Sequence, residues 1–314
     1  MQKLNSTKKG LSLIKKVTFL SLFSIFFFSC KSLPENSKSK VNSLDLLDYS
    51  NNFYLSIPTK VDPDLIKRIL QSNVNGLSES DADSLLERID RTYIGLTRNY
   101  KSTKIQAAAD VNIPKKYIPS ILTAKKGWEK SSFNAINPDT KYDIFTQNNM
   151  AISFPSNANC CFGENIEYML QQYNEIYNTP ADSVINEKNS ELPDEIYNWL
   201  SESKDVIRFF TINPQTYLSM LIGTNINLQL INVWGEIKPD PTNSKMLLLD
   251  FSFEFKSELV KKAGQALLSY TFALTNPEIT SESATVLKVS GIQLPKEQLY
   301  KINSFKELFM IKKK

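Results

Sequence analysis

One local pattern recurs along this chain: a short, apolar-alternating run ends in proline, and a helix-like segment follows. It occurs at residues 54–58 before 63–70, at 110–114 before 115–122, and at 151–155 before 165–170. It occurs again at 210–214 before 215–222 and at 291–295 before 296–302. Proline fixes φ and has no amide proton, so it suits both a strand end and the first turn of a helix. The chain is thereby committed to strand-to-helix junctions. Pro58 and Pro114 are 56 residues apart, and Pro155 and Pro214 are 59 apart. Between the two sets the offsets are 97 and 100 residues. That repeat predicts two related α/β halves, 49–155 and 156–314, from an internal duplication.

The segments between the prolines fill in the same picture. Residues 77–89 begin Ser-rich with acids in the first turn, which marks a helix start, and Leu85, Leu86 and Ile89 form its apolar stripe. Residues 92–96 and 104–113 read as strands, 193–200 as a helix and 205–212 as a strand. Residues 226–237 and 246–255 alternate with period two, the mark of a sheet with one buried and one wet face. The Pro- and Asn-rich connection at 239–244 makes them a hairpin, and 284–292 supplies a third strand. The expected fold class is α+β, a mixed or antiparallel sheet packed with helices.

The amino terminus carries an address. Lys3, Lys8, Lys9, Lys15 and Lys16 precede an apolar run over residues 17–28 that ends in Ser29-Cys30. A basic region, a short apolar core and a small residue at the cut describe a secretory signal peptide. The run is about a dozen residues, short of the roughly 20 that span a bilayer. Phe27-Phe28-Ser29-Cys30 resembles the lipobox of bacterial lipoproteins, with Phe27 replacing the usual Leu as in the relaxed lipoboxes of spirochaetes. The resemblance implies a signal peptide over 1–29 and a lipidated Cys30, with a diacylglycerol on the thiol and an acylated amino terminus, palmitate among the chains. Three acyl chains exceed the two signals that stable anchoring needs. Residues 30–48 read as a flexible tether.

Removal of the signal peptide changes the electrostatics. Without its five lysines, the 37 basic residues fall to 32 against 33 acidic ones. A global basic field for nucleic acid is therefore absent. There is no histidine, which excludes His-dependent triads, imidazole metal ligands and the commonest general base. With Cys30 lipidated, only the adjacent pair Cys160-Cys161 remains. Two readings stand: small apolar residues at a turn before a helix, or a thiol pair linked within or between chains. No phosphate-binding glycine loop, nucleophile elbow or zinc spacing is present. Glu79, Asp81 and Asp83 form an acidic cluster that reads as a solvated helix start.

Residues 257–274 stand out as an amphipathic helix, capped by Ser257 and stopped at Asn276-Pro277. Leu259, Ala263, Ala266, Leu267, Tyr270 and Leu274 share one face, which Val260, Leu268, Thr271 and Phe272 widen. Such a helix packs on a sheet or lies against lipid. The candidate lipid-contacting residues are Leu259, Val260, Leu267, Leu268, Tyr270, Phe272 and Leu274. Residues 297–314 repeat the helical spacing at Leu299, Ile302, Phe305, Leu308 and Phe309.

The lipobox together with the α/β layout and amphipathic helices resembles the treponemal outer-membrane-associated lipoproteins that bind lipid through an α/β/α domain. The resemblance implies an anchor in the periplasmic leaflet of the outer membrane rather than in the inner membrane or on the cell surface. The anchor, the missing chemistry and the apolar helices point to a non-enzymatic module that binds lipid or another envelope protein, without cofactor or metal. Two other functions fit the sequence: an envelope scaffold that pairs through its sheet edge, and a His-free hydrolase or carbohydrate-active enzyme built on paired carboxylates.

Overall fold

The computed structural model describes residues 40–73, 77–99, 102–147, 150–179, 192–212, 214–215, 228–271 and 277–297. The strands are β1 (Phe53–Pro58), β2 (Ile89–Asn99), β3 (Ser102–Val111), β4 (Glu129–Ala135), β5 (Thr140–Gln147) and β6 (Met150–Ser153). They continue with β7 (Asn159–Gly163), β8 (Ile207–Ile212), β9 (Leu230–Pro239), β10 (Met246–Phe255), β11 (Glu278–Ser281) and β12 (Val286–Pro295). Among the described residues the helices are α1 (Pro63–Asn73), α2 (Glu79–Leu86), α3 (Ile118–Ile121), α4 (Ile166–Asn178), α5 (Asp194–Glu202) and α6 (Glu258–Thr271).

The strands among the described residues join one 12-stranded sheet in the order β11-β12-β10-β9-β8-β1-β2-β3-β7-β6-β5-β4. Every pairing is antiparallel. The α+β expectation holds, with the antiparallel alternative realised. The hairpin expected across 239–244 is β9–β10, and the third strand pairs with β10 as β12.

Register assigns the two faces. One rung runs Cys161, Ala108, Tyr93, Ser56, Arg208, Glu236, Asp250, each paired with the next. These side chains share a face, because paired residues of an antiparallel ladder point the same way. Near β1, β2, β3 and β7 that face is buried under α4, α5 and a 3-10 turn at Ser43–Leu46, with Leu46, Met169, Leu170 and Leu200 completely enclosed. Beyond β8 the same face turns charged. On the opposite face, α1, α2 and α3 cover the strands around β2 and β3, and α6 covers β9, β10 and β12.

The strand-Pro-helix reading holds at Pro58, which ends β1 before α1, and at Pro114, which precedes a 3-10 turn and α3. At Pro155 the strand β7 intervenes before α4, because residues 159–163 pair with β3 and β6. The segments after Pro214 and Pro295 fall largely outside the described residues.

Two local expectations are corrected. Cys160 and Cys161 sit within β7 rather than at a turn, and both are free thiols. Alternation along the strand sends Cys161 into one core cluster and Cys160 to the other face, so the two sulfurs point apart. The tether expected over 30–48 ends earlier, since Val41, Leu44, Leu46 and Leu47 are buried in the core. Asn159, itself buried, donates from Nδ2 to the Val41 carbonyl (3.2 Å) and to Ser43 Oγ (2.9 Å), fixing this segment to β7. Burial of four apolar side chains explains why a polar-flanked stretch without periodicity is ordered.

Candidate functional site

The floor of the first candidate site comes from two of three consecutive alanines. Ala107 and Ala109 of β3 point to the helical side opposite the Cys161 rung, beside Cys160 and Phe162 of β7. Small side chains leave the floor low. The roof is made of long ones: Ile66 and Leu70 of α1, Leu85 of α2 and Ile121 of α3. Between them lies a cavity of about 130 Å³, in which Thr92 and Cys160 are the only lining residues, among the described ones, with a polar side-chain atom. An apolar cavity of this order stays dry and accepts a small apolar group.

The roof is held by charge. Lys67 of α1 reaches Glu79 (3.2 Å) and Asp83 (2.7 Å) at the start of α2. Ser78 caps α2 by accepting from the Asp81 amide. The acidic cluster of the sequence is thus a helix start held by Lys67 at Glu79 and Asp83, with Lys126 3.9 Å from Asp81. Cys160 brings no chemistry to the cavity: burial pushes its thiol up to about 12, so it stays protonated and un-nucleophilic.

The amphipathic helix forms as expected, as α6. Ser257 Oγ accepts from the Val260 amide, which caps the first turn. Val260, Leu267 and Leu268 pack onto the β9–β10–β12 side of the sheet, with Leu268 buried. Gly264 allows the close approach: a Cβ there would lie 2.3 Å from Phe255 Cε1. Leu259 is 79% exposed and Tyr270 is 83% exposed. With Ala263 and Ala266, also exposed, they follow the i, i+4, i+7, i+11 spacing of one helical stripe. The single face of the sequence reading therefore splits into a sheet-packed part and a solvent-facing part. Phe272 and Leu274 lie outside the described residues, as do Cys30 and residues 298–314.

A third region is polar and went unrecognised in the sequence. Trp199 of α5, Trp234 and Glu236 of β9, Asp250 and Ser252 of β10, Lys288 of β12 and Glu282 surround a cleft of about 200 Å³. Arg208 Nε donates to Glu236 Oε1 (2.9 Å), and its guanidinium lies 5.0 Å from the Trp199 ring centroid. Lys238 donates to Asp250 Oδ2 (2.8 Å), and the Gly291 amide donates to Asp250 Oδ1 (2.9 Å). Burial works to raise the Asp250 pKa, but these two donors and the charges of Lys238 and Lys288 outweigh it, and the carboxyl sits below its ordinary value. Period-two alternation in 226–237 and 246–255 did place these polar residues on one face; what it could not supply was the arrival of Trp199 from α5.

Comparison with known proteins agrees with the architecture. The chain belongs to the family described as outer membrane-associated lipoprotein TP0453, whose profile matches residues 38–300. The fold is that of the treponemal lipoprotein TP0453. Crystal form I of that protein superposes with a TM-score of 0.63 at 17% identity, covering 87% of this chain and 100% of that one. Crystal form III gives 0.61 at 17% identity, over 83% and 97%. Crystal form IV gives 0.60 at 17% identity, over 84% and 97%. Comparison with curated proteins finds no match. The expected kinship with treponemal outer-membrane-associated lipoproteins is borne out. Among the described residues no helix is long and apolar enough to cross a membrane.

Proposed function

We propose that this envelope lipoprotein is a non-enzymatic module, tethered through Cys30 to the periplasmic leaflet of the outer membrane, that takes up hydrocarbon from lipid. The observation that carries the reading is the cavity above Ala107 and Ala109, about 130 Å³ and almost wholly apolar. Its size suits the end of one acyl chain rather than a whole lipid. The exposed stripe of Leu259, Ala263, Ala266 and Tyr270 supports it, as a surface suited to an acyl boundary. The tether also fits: the ten residues from Lys31 to Lys40 extend at most about 35 Å, which keeps the folded unit close to the bilayer.

Scaffolding through a sheet edge has less support. The edge strands are β11, four residues long, and β4, whose exposed Glu129, Lys130, Ser131 and Ser132 are the kind of residues that guard an edge against pairing. Hydrolysis by paired carboxylates is also less supported, since Glu236 and Asp250 are each engaged by a cation and Asp250 is held ionised. The test is flotation of protein lacking the signal peptide and Cys30 with phosphatidylcholine–phosphatidylglycerol vesicles. Co-flotation that falls on Leu259→Ser/Tyr270→Ser substitution supports the reading. Protein left at the bottom of the gradient removes the membrane-contact part of it.

A further inference from the structure

The cleft on the polar half of the sheet has the composition of a binding site for a neutral, polyhydroxylated ligand. It lies on the opposite face of the sheet from both α6 and the apolar cavity, so it stands or falls separately from the lipid reading. Two successive rungs build it. One runs Phe210, Trp234, Ser252, Lys288, and the next runs Arg208, Glu236, Asp250. Period-two spacing brings these side chains to one surface, and Trp199 closes one side from the end of α5.

Charge decides the ligand class. Three carboxylates line the cleft: Glu236, Asp250 and Glu282. Each has its own cation: Arg208 at 2.9 Å, Lys238 at 2.8 Å and Lys288 at 3.6 Å. Three negative groups against three positive ones leave no net field for a free ion. Two like carboxylates placed directly across a strand pair, as Glu236 and Asp250 are, destabilise a sheet unless each is compensated. The paired cations supply that compensation. An ion-paired carboxylate still has lone pairs to accept hydroxyl hydrogens, because two oxygens offer about four acceptor sites. Ser252 Oγ, which donates to Glu282 Oε2 at 3.3 Å, adds a hydroxyl, and Lys288 adds an ammonium donor.

The apolar component is two indoles. Only three tryptophans exist in the chain, and two of them line this cleft. Arg208 positions one of them: it stacks on Trp199, donates to the Trp199 carbonyl at 2.6 Å and bonds Glu236. A wall of indole beside a fringe of charge-assisted acceptors matches a pyranose, whose ring C–H groups form an apolar face and whose hydroxyls radiate from its edge. An enclosed cavity of about 150 Å³ takes a six-carbon ring such as benzene, so about 200 Å³ in an open cleft seats the ring face of a single hexose, with its remaining hydroxyls in solvent.

We propose that the Trp199–Trp234 cleft is a saccharide-binding site that holds one hexose unit without cleaving it. The indoles take the ring face. Glu236, Asp250 and Glu282 accept from the hydroxyls, and Arg208 is a positioning residue for both Trp199 and Glu236.

Intrinsic fluorescence reads the cleft directly, since the third tryptophan, Trp128, is buried elsewhere, in the core cluster around α3. The soluble protein is titrated with glucose, galactose and N-acetylglucosamine, and separately with spermidine and inorganic phosphate. The expected result is a saturable change in emission with at least one hexose, at millimolar or lower concentration and insensitive to added salt. Trp199→Ala and Ser252→Val are each expected to weaken it about tenfold or more, while Leu259→Ser on α6 leaves it unchanged. Circular dichroism spectra matching wild type establish that the variants fold, and Ser252→Thr, which keeps the hydroxyl, is expected to restore binding. No saturable response to any hexose overturns the proposal. So does binding that survives both cleft substitutions, or salt-sensitive binding of spermidine or phosphate in place of sugar.

Discussion

Replacing Ala109 by leucine fills the apolar cavity from its floor. An unfilled cavity costs about 24 cal/mol per Å³, so one of about 130 Å³ costs on the order of 3 kcal/mol. Leucine adds three carbons to alanine. Burying each stabilises by about 0.8 kcal/mol, which sets an upper limit near 2.4 kcal/mol. Lost rotamer freedom and imperfect fit reduce this, and the expected net gain is about 1–2 kcal/mol. Urea unfolding of the soluble protein, followed by circular dichroism, measures it: the midpoint rises while the slope is unchanged. The same substitution is expected to abolish displacement of a fluorescent fatty acid, because the acyl end and the new side chain compete for one volume. Destabilisation of about 1–3 kcal/mol, the signature of overpacking, would show instead that no room exists above Ala109.

Four further outcomes follow from particular contacts. Arg91 donates to the Ser201 and Ser203 carbonyls at the end of α5 and to Tyr93 Oη at 2.9 Å; Arg91→Ala leaves these half-buried groups unmatched and is expected to cost about 2–3 kcal/mol, with Arg91→Lys a poor rescue in thermal melts. Gly264→Ala gains helix propensity of about 1 kcal/mol yet forces a Cβ onto the Phe255 ring, so the net effect in urea is expected to be destabilising. Burial pushes the Tyr93 hydroxyl up to about 12 from an ordinary 10; the folded state keeps a proton that the unfolded chain has lost, so this contribution is complete below pH 10 and disappears between pH 10 and 12, and urea midpoints measured across that range are expected to fall with a shallower fall for Tyr93→Phe. Cys161 is buried, Cys160 is half-buried with its thiol pushed up to about 12, and the two are free and on opposite faces of β7; iodoacetamide is expected to label neither until urea unfolds the protein, and dithiothreitol is expected to leave the melting temperature unchanged.

What was legible in the sequence was local. Period-two alternation identified β9 and β10, and the Pro- and Asn-rich connection identified their hairpin, because these features depend on neighbours only. The helix at Glu258–Thr271 was legible from its cap and its spacing. Its division into packed and exposed parts was not, because that depends on which side β10 and β12 approach. The cavity was illegible for a related reason. Three alanines in a strand look like ordinary filler until helices with long side chains close over them. The burial of Val41 to Leu47 rests on partners such as Asn159, more than a hundred residues away. The polar cleft needed four strands in register and one tryptophan from a helix, a long-range coincidence that no single window displays.

In the proposed function, hydrocarbon enters the space above Ala107 and Ala109. A crystal of the soluble protein grown with a fatty acid brominated at its methyl end tests this most directly, since anomalous scattering locates the bromine without interpretation of weak density. Hydrocarbon entry is expected to give a bromine peak between the Ala109 methyl and the Leu85 side chain, absent from crystals of Ala109→Leu. A peak only on the exposed stripe of α6, or bromine retained in the same place after Ala109→Leu, would contradict it.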